Sequence, residues 1–324
     1  MAYLEILAGL VVLVLGAELL VRSSVAIARR LGVSTLLIGL TLVGFGTSSP
    51  ELVASITAGL KGSPGIAVGN VVGSNICNVF LILGFSALIA PLAITRKAFL
   101  RDGPVLVGAS ALLLLACLLG EVSRWFGVVL LALLVAYLVW CYRTEREDPQ
   151  AAAIDEAAAA AIPAGAPVSM SVSGLGTAGG LLLLVAGAWL LVGGAITLAR
   201  TLGISEALIG LTVVAVGTSL PELATSVVAA ARRQADVAFG NIIGSNIYNI
   251  LGILGVVAVI QPVAIPPEIV AFDIWVMLGS SALLVAFALT GWRIVRWEGA
   301  ALLAAYGAYV AWLVRAAALS GAAA

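Results

Sequence analysis

The sequence predicts an all-α membrane protein, with ten transmembrane helices in two inverted five-helix repeats and broken core helices. Three observations predict it. Hydrophobic residues make up 62% of the 324-residue chain and charged residues 10%, against roughly 25% charge in a soluble domain. Ten apolar runs come close to the roughly 20 residues that a helix needs to cross hydrocarbon. One polar motif occurs twice within this apolar chain, at a constant offset of 171 residues.

In the first half the runs fall at about 4–27, 33–59, 65–91, 102–120 and 125–142. The first has no basic residue before it and continues to Arg22 without a small-residue cleavage site, so it reads as a span and not as a signal peptide. Glu18 lies one turn before Arg22 and is expected to pair with it at i,i+4. The second run carries GLTLVGFGTSSPEL at 39–52, and the third carries GNVVGSNICN at 69–78. Asp102, near the start of the fourth, matches Asp273 near the start of the ninth; both are expected to serve helix ends.

After the fifth run comes an Ala-rich segment, 143–176, with Glu145, Glu147, Asp148, Asp155, Glu156, Pro163 and Pro167. It reads as a solvated cytoplasmic linker, partly helical around DEAAAAA and too short for a folded sensor domain. The runs of the second half fall at about 177–199, 204–230, 236–261, 271–290 and 295–317. The seventh carries GLTVVAVGTSLPEL at 210–223 and the eighth GNIIGSNIYN at 240–249. The chain therefore divides into a first repeat, 1–142 (motif 39–78), the linker, and a second repeat, 177–324 (motif 210–249).

Basic residues give the orientation. With the N-terminus outside, the cytoplasmic loops hold Arg29, Arg30, Arg96, Lys97, Arg101, Arg143, Arg146, Arg232, Arg233, Arg293 and Arg296. The other side holds Lys61, Arg124, Arg200 and Arg315. Leaving out Arg22 inside the first span, the count is eleven against four, and the positive-inside rule places both termini outside. An odd number of spans per repeat makes matched segments enter the membrane from opposite sides. Inverted repeats of this kind are characteristic of secondary transporters, with the site at the midplane between the halves.

Composition excludes several chemistries. There is no histidine, which removes His-based catalysis and disfavours zinc or haem. Cys77, Cys117 and Cys141 form no CxxC pair, so no disulfide framework is read. A net charge of zero offers nothing to nucleic acid. No cofactor is expected.

The motifs carry the chemistry. Pro50 lacks an N–H and its ring clashes one turn back, so the helix is expected to open near Gly46. Backbone freed in mid-membrane is tolerated only where protein, water or an ion satisfies it. Thr47, Ser48 and Glu51 fall on neighbouring parts of one helix face; Thr218, Ser219 and Glu222 repeat them from the other side. Ser74 with Asn78, and Ser245 with Asn249, add hydroxyl and amide oxygens at i,i+4. Every candidate ligand is a hard oxygen, which suits Na⁺, Ca²⁺ or Mg²⁺. Ca²⁺ accepts such a flexible mixed set more readily than Mg²⁺. Ionisable groups in lipid mark an ion path by default. Asn75 and Asn246 are expected to hydrogen-bond to the broken helices, and Cys77, which matches Tyr248, to pack.

GTSxPE followed by GSNxxN, present in both halves, resembles the paired alpha-repeats of the sodium/calcium exchangers in the cation/calcium exchanger superfamily. The resemblance covers almost the whole chain apart from the linker and termini. It implies a core of the second, third, seventh and eighth helices, with the first and sixth sliding against it. It implies exchange of Na⁺ for Ca²⁺, three to one, with net charge movement. Carried over by position, Glu51 and Glu222 are Ca²⁺ ligands, and Thr47 and Thr218 lend carbonyls. Ser48, Ser219, Ser74 and Ser245 complete Na⁺ sites, and the carbonyls of Gly44 and Ala215 serve outer Na⁺ sites. Asn78 and Asn249 stand at a central position where some members carry Asp in one half. Two Asn here leave the glutamates as the only central carboxylates and weaken the case for potassium co-transport.

The residues themselves leave H⁺/cation exchange through the same carboxylates open, although the proton-coupled branch typically spells its motif GNxxE. A passive cation channel is disfavoured by the inverted halves, and an intramembrane enzyme by the lack of a GxSxG elbow or P-loop. The expected setting is a multi-pass protein of a prokaryotic cytoplasmic (inner) membrane, working as a monomer in the lipid bilayer.

Overall fold

The computed structural model describes residues 2–60, 64–146, 169–201 and 215–321. Helix α1 (Ala2–Leu31) is followed by α2 (Thr35–Ile38), a π-turn at Gly39–Val43, α3 (Gly44–Thr47) and α4 (Ser49–Leu60). Next come α5 (Pro64–Cys77), a π-turn at Asn78–Leu83, α6 (Gly84–Ile89), α7 (Arg96–Leu119) and α8 (Arg124–Arg146). The second half holds α9 (Met170–Thr201), α10 (Ala215–Thr218), α11 (Leu220–Ala231) and α12 (Ala235–Tyr248). It continues with a π-turn at Asn249–Ile253, α13 (Leu254–Ile260), a π-turn at Ile269–Asp273, α14 (Ile274–Leu289) and α15 (Arg296–Gly321). Four two-residue strands, β1 (Leu92–Ala93), β2 (Glu121–Val122), β3 (Val263–Ala264) and β4 (Arg293–Ile294), join the loops.

Among the described residues, eight helices are long and apolar enough to cross a membrane singly. The bent pair Thr35–Thr47 and Ser49–Leu60 supplies a ninth span. Of the expected seventh span, 204–230, the structure describes the part from Ala215 on; 204–214 lie outside the described residues. So do 147–168 of the expected linker, including the stretch expected to be partly helical. Large apolar side chains such as Leu4, Leu7, Trp125, Trp189 and Trp297 are exposed, the surface that lipid covers and water would not tolerate in such quantity.

The repeat inversion is visible in the strands. β1 pairs antiparallel with β4, and β2 with β3. β1 precedes α7 and β2 follows it, so the two ribbons cap opposite ends of that helix. β1 and β3 are repeat counterparts, 171 residues apart, and they therefore lie on opposite faces. The β1–β4 face carries Arg96, Lys97, Arg293 and Arg296 in or beside its strands; the β2–β3 face carries Arg124.

Glycines set the packing between halves. A Cβ on Gly9 would lie 2.5 Å from Leu191 N, and one on its counterpart Gly180 2.8 Å from Leu20 N. Gly16 and Gly187 are the next such pair, at 2.8 Å from Leu184 N and 2.7 Å from Leu13 N. α1 and α9 thus meet backbone to backbone, as small residues allow in lipid. Gly240 and Gly244 seat α12 on the backbone of Leu36 and Leu40, where added Cβ atoms would stand 2.7 and 2.2 Å from carbonyl oxygens.

Two ionic details extend the sequence reading. Glu18 pairs with Arg22 as expected, and it also accepts from Arg232 Nε at 2.9 Å, tying α1 to the end of α11. Asp102 is buried and takes Arg101 Nε at 2.7 Å, Arg101 Nη2 at 3.0 Å and Tyr137 Oη at 3.0 Å.

Candidate functional site

The polar centre is built on two helix breaks. Ser48, between α3 and α4, has φ −83° and ψ 7°; Ser219, between α10 and α11, has φ −87° and ψ 7°. Both sit in the sparsely used bridge region. Pro50 and Pro221 each take the second position of the helix that follows, where a missing N–H costs no intrahelical bond. The break falls at Ser48, two residues past Gly46: α3 runs through Gly46 to Thr47 before the chain turns. The bend in the first repeat is 43°.

Each break presents its serine to the other repeat's glutamate. Ser48 Oγ donates to Glu222 Oε1 at 2.8 Å, and Ser219 Oγ donates to Glu51 Oε1 at 3.0 Å. This reciprocal pair lies on the pseudo-two-fold axis that the 171-residue offset implies. Glu51 and Glu222 are 1% and 2% exposed, and Oε2 of each has no hydrogen-bond partner.

The third and eighth spans run as continuous helices past this centre and widen to π-turns at its level. Those turns begin on Asn78 and Asn249, the kind of bulge often found at functional sites. Both Asn side chains are buried, and neither their Oδ1 nor their Nδ2 has a partner; Ser74 Oγ is likewise buried and unpartnered. Ser245 Oγ donates to the Gly44 carbonyl at 3.4 Å. Thr47 Oγ1 donates to Asn241 Oδ1 at 3.1 Å and to its own helix at Val43 O, 3.0 Å. Thr218 lines the cavity beside Ser74. Ala215 opens α10, the element matched to α3.

Burial of so many polar atoms without partners is unusual, because buried polar groups are normally bonded. Here five of the seven are oxygens, two of them from carboxylates, and two are amide nitrogens. The oxygens of such a set suit a cation of hard character. Among the described residues, no group of three or more His, Cys, Asp or Glu is placed so as to hold a metal ion.

Two asparagines outside the expected ligand set hold the frame. Asn70 Nδ2 donates to the Glu51 carbonyl at 3.2 Å and to Ser55 Oγ at 2.9 Å. Asn241 Nδ2 donates to the Glu222 carbonyl at 3.3 Å and to Ser226 Oγ at 2.8 Å. They position the backbone of each glutamate from the neighbouring span. The signal was in the sequence: Asn70 and Asn241, and Ser55 and Ser226, recur at the same offset of 171. Asn75 and Asn246 do not reach the broken helices as expected. Their amides bond back along their own helices, to Val71 O at 2.7 Å and Ile242 O at 2.8 Å. Cys77 is buried and unoxidised and lines the same cavity as Ser74.

Comparison with known proteins agrees with this architecture. The family described as sodium/calcium exchanger protein matches residues 1–143 and 172–315. The chain is 35% identical over 343 residues to sodium/calcium exchanger MaX1 of Methanosarcina acetivorans, covering 95% of this chain and 97% of the relative. It is 36% identical over 292 residues to inner membrane protein YrbG of Escherichia coli, covering 89% and 88%. Among solved structures it resembles the sodium-calcium exchanger NCX_Mj soaked with 10 mM Na⁺ and 10 mM Sr²⁺, with a TM-score of 0.82 at 34% identity, covering 96% and 97%.

Proposed function

This chain belongs to the sodium/calcium exchanger family, and we propose that it passes Ca²⁺ and Na⁺ in opposite directions through the Glu51–Glu222 centre, three Na⁺ for each Ca²⁺. It is a secondary active transporter, not an enzyme. The observation that carries the reading is the reciprocal Ser48–Glu222 and Ser219–Glu51 pairing around two carboxylate oxygens without partners.

In this reading Glu51 and Glu222 balance one divalent ion. The carbonyls of Thr47 and Thr218 complete its shell, in the 6–8 oxygen coordination typical of Ca²⁺. Ser48, Ser219, Ser74 and Ser245, the amide oxygens of Asn78 and Asn249, and the carbonyls of Gly44 and Ala215 hold Na⁺. Because two of the serines that hold Na⁺, Ser48 and Ser219, also hydrogen-bond the Ca²⁺ carboxylates, occupancy by one ion disturbs the shell of the other. That competition couples the two fluxes.

The halves, 1–142 and 177–324, act as the two inverted repeats, joined by the linker 143–176. Both termini and the β2–β3 ribbon face outward, and the Arg-rich loops face the cytoplasm of a prokaryotic cell. Three charges entering against two leaving moves one net charge. At about 2.3 kcal/mol per 100 mV, an inside-negative potential favours Ca²⁺ extrusion.

The test is ⁴⁵Ca²⁺ uptake into proteoliposomes loaded with Na⁺, with K⁺, or with an acid interior. Uptake with internal Na⁺ alone, accelerated by an interior-positive potential, supports the proposal. Uptake driven by the proton gradient moves the chain to proton-coupled exchange. Equal uptake in all three makes it a channel.

A further inference from the structure

We infer that Asp273 is a recruiting carboxylate for cations, placed in the cavity that leads to the central site from the β2–β3 face. The inference rests on the exchange reading above and concerns how ions reach that site.

A cavity of about 530 Å³ lies between α4, α5, α10, the start of the ninth span and α15. At one end it meets the centre itself, through Ser74 and Thr218. Ser74 Oγ, buried and without a hydrogen-bond partner, marks that end as one where an oxygen ligand awaits a cation. Asp273 also lines the cavity, with Asn70, Tyr306 and Tyr309. It closes the π-turn that opens the ninth span, nine residues past the end of β3, so it lies toward the β2–β3 face. Among the described lining residues it is the one carboxylate, and none is Lys or Arg.

The repeat counterpart shows what Asp273 lacks. Asp102 is held by Arg101 through two N–H donors and by Tyr137. The position matching Arg101 is Phe272, whose ring stacks on Tyr309. Tyr309 Oη donates to Asp273 Oδ1 at 2.9 Å. One half of the repeat therefore neutralises its carboxylate inside the protein. The other half orients it with a neutral phenol and turns it to a cavity. The rest of that lining is largely apolar side chains and glycine. Low-dielectric walls of this kind focus the field of a single-sign charge and raise the local concentration of counter-ions. The sequence reading gave both aspartates helix-end roles; the arginine in one half and its absence in the other separate them.

A recruiting charge acts on association more than on dissociation. Rapid-filtration measurement of ⁴⁵Ca²⁺ association and dissociation on the purified full chain tests this, with Asp273→Asn, Asp273→Glu and Tyr309→Phe. Asparagine is isosteric and still accepts the Tyr309 hydrogen bond, so the fold is kept. The expected result is association slowed about tenfold at low salt, the lower end of the range for focused fields, with dissociation unchanged. Its dependence on ionic strength flattens, and Asp273→Glu restores it. Tyr309→Phe keeps the charge and stays within about twofold of the wild type. Unchanged association in Asp273→Asn, or an equal change in dissociation, overturns the inference while leaving the exchange reading intact. A wild-type chain that binds no Ca²⁺ overturns both.

Discussion

Removing the hydroxyl of Ser219 is the most informative single perturbation of the centre. That hydroxyl donates to Glu51 Oε1 at 3.0 Å, and the carboxylate is 1% exposed, so bulk water does not replace it. A hydrogen bond to a charged group contributes roughly 1.5–3 kcal/mol. At about 1.4 kcal/mol per factor of ten, Ser219→Ala should weaken Ca²⁺ binding by about 10- to 150-fold. Ser48→Ala removes the matching 2.8 Å bond to Glu222 and should do the same to a similar degree. If both carboxylates hold one ion, the second deletion acts on a shell already loosened by the first. The double variant should then fall short of the sum by more than about 0.5 kcal/mol, the margin within which independent sites add. Calorimetric titration of Ca²⁺ into the purified wild type, both singles and the double gives all four values. Additive losses would mean that the glutamates serve separate ions, and the shared centre would be refuted.

Other perturbations separate ion binding from packing. Glu51→Gln and Glu222→Gln should each abolish Ca²⁺ binding with little change in melting temperature. Each removes gross attraction to a divalent ion of about 8 kcal/mol at 4 Å and an effective dielectric near 20. Asn241→Ala deletes bonds to Glu222 O, Ser226 Oγ and Thr47 Oγ1. It should cost roughly 2–4 kcal/mol of stability in thermal unfolding. Gly244→Ala places a Cβ 2.2 Å from Leu40 O. Thermal unfolding should show a loss of about 1–3 kcal/mol for Gly244→Ala. Glu18→Gln breaks a partly exposed pair with Arg22 and Arg232 and should change stability by less than about 1 kcal/mol.

Much of the centre was legible before any coordinates. Repetition of Thr, Ser, Pro and Glu in an apolar chain pointed to Glu51 and Glu222, because lipid makes unneeded carboxylates costly. The offset of 171 implied the pseudo-two-fold relation between the halves. The cross-repeat pairing of Ser48 with Glu222 was not legible, since spacing within one helix says nothing of which partner a side chain meets across an interface. The exact residue of the break was not legible for a related reason. Proline forbids a bond one turn back, but whether Gly46 or Ser48 absorbs the turn depends on how the next helix restarts. Asn70 and Asn241 went unread because asparagine near a helix start has many local uses; only their recurrence distinguishes them. Asp273 and Asp102 look alike in sequence, and the Arg101 contact that separates their roles is a matter of side-chain placement.

The most direct test of the central claim is anomalous diffraction from crystals of the full chain soaked in Sr²⁺ over a series of Na⁺ concentrations. The account expects one Sr²⁺ peak between the carboxylates of Glu51 and Glu222, weakening as Na⁺ rises and absent in Glu51→Gln. A peak elsewhere, or one between the glutamates that Na⁺ leaves unchanged, would contradict it.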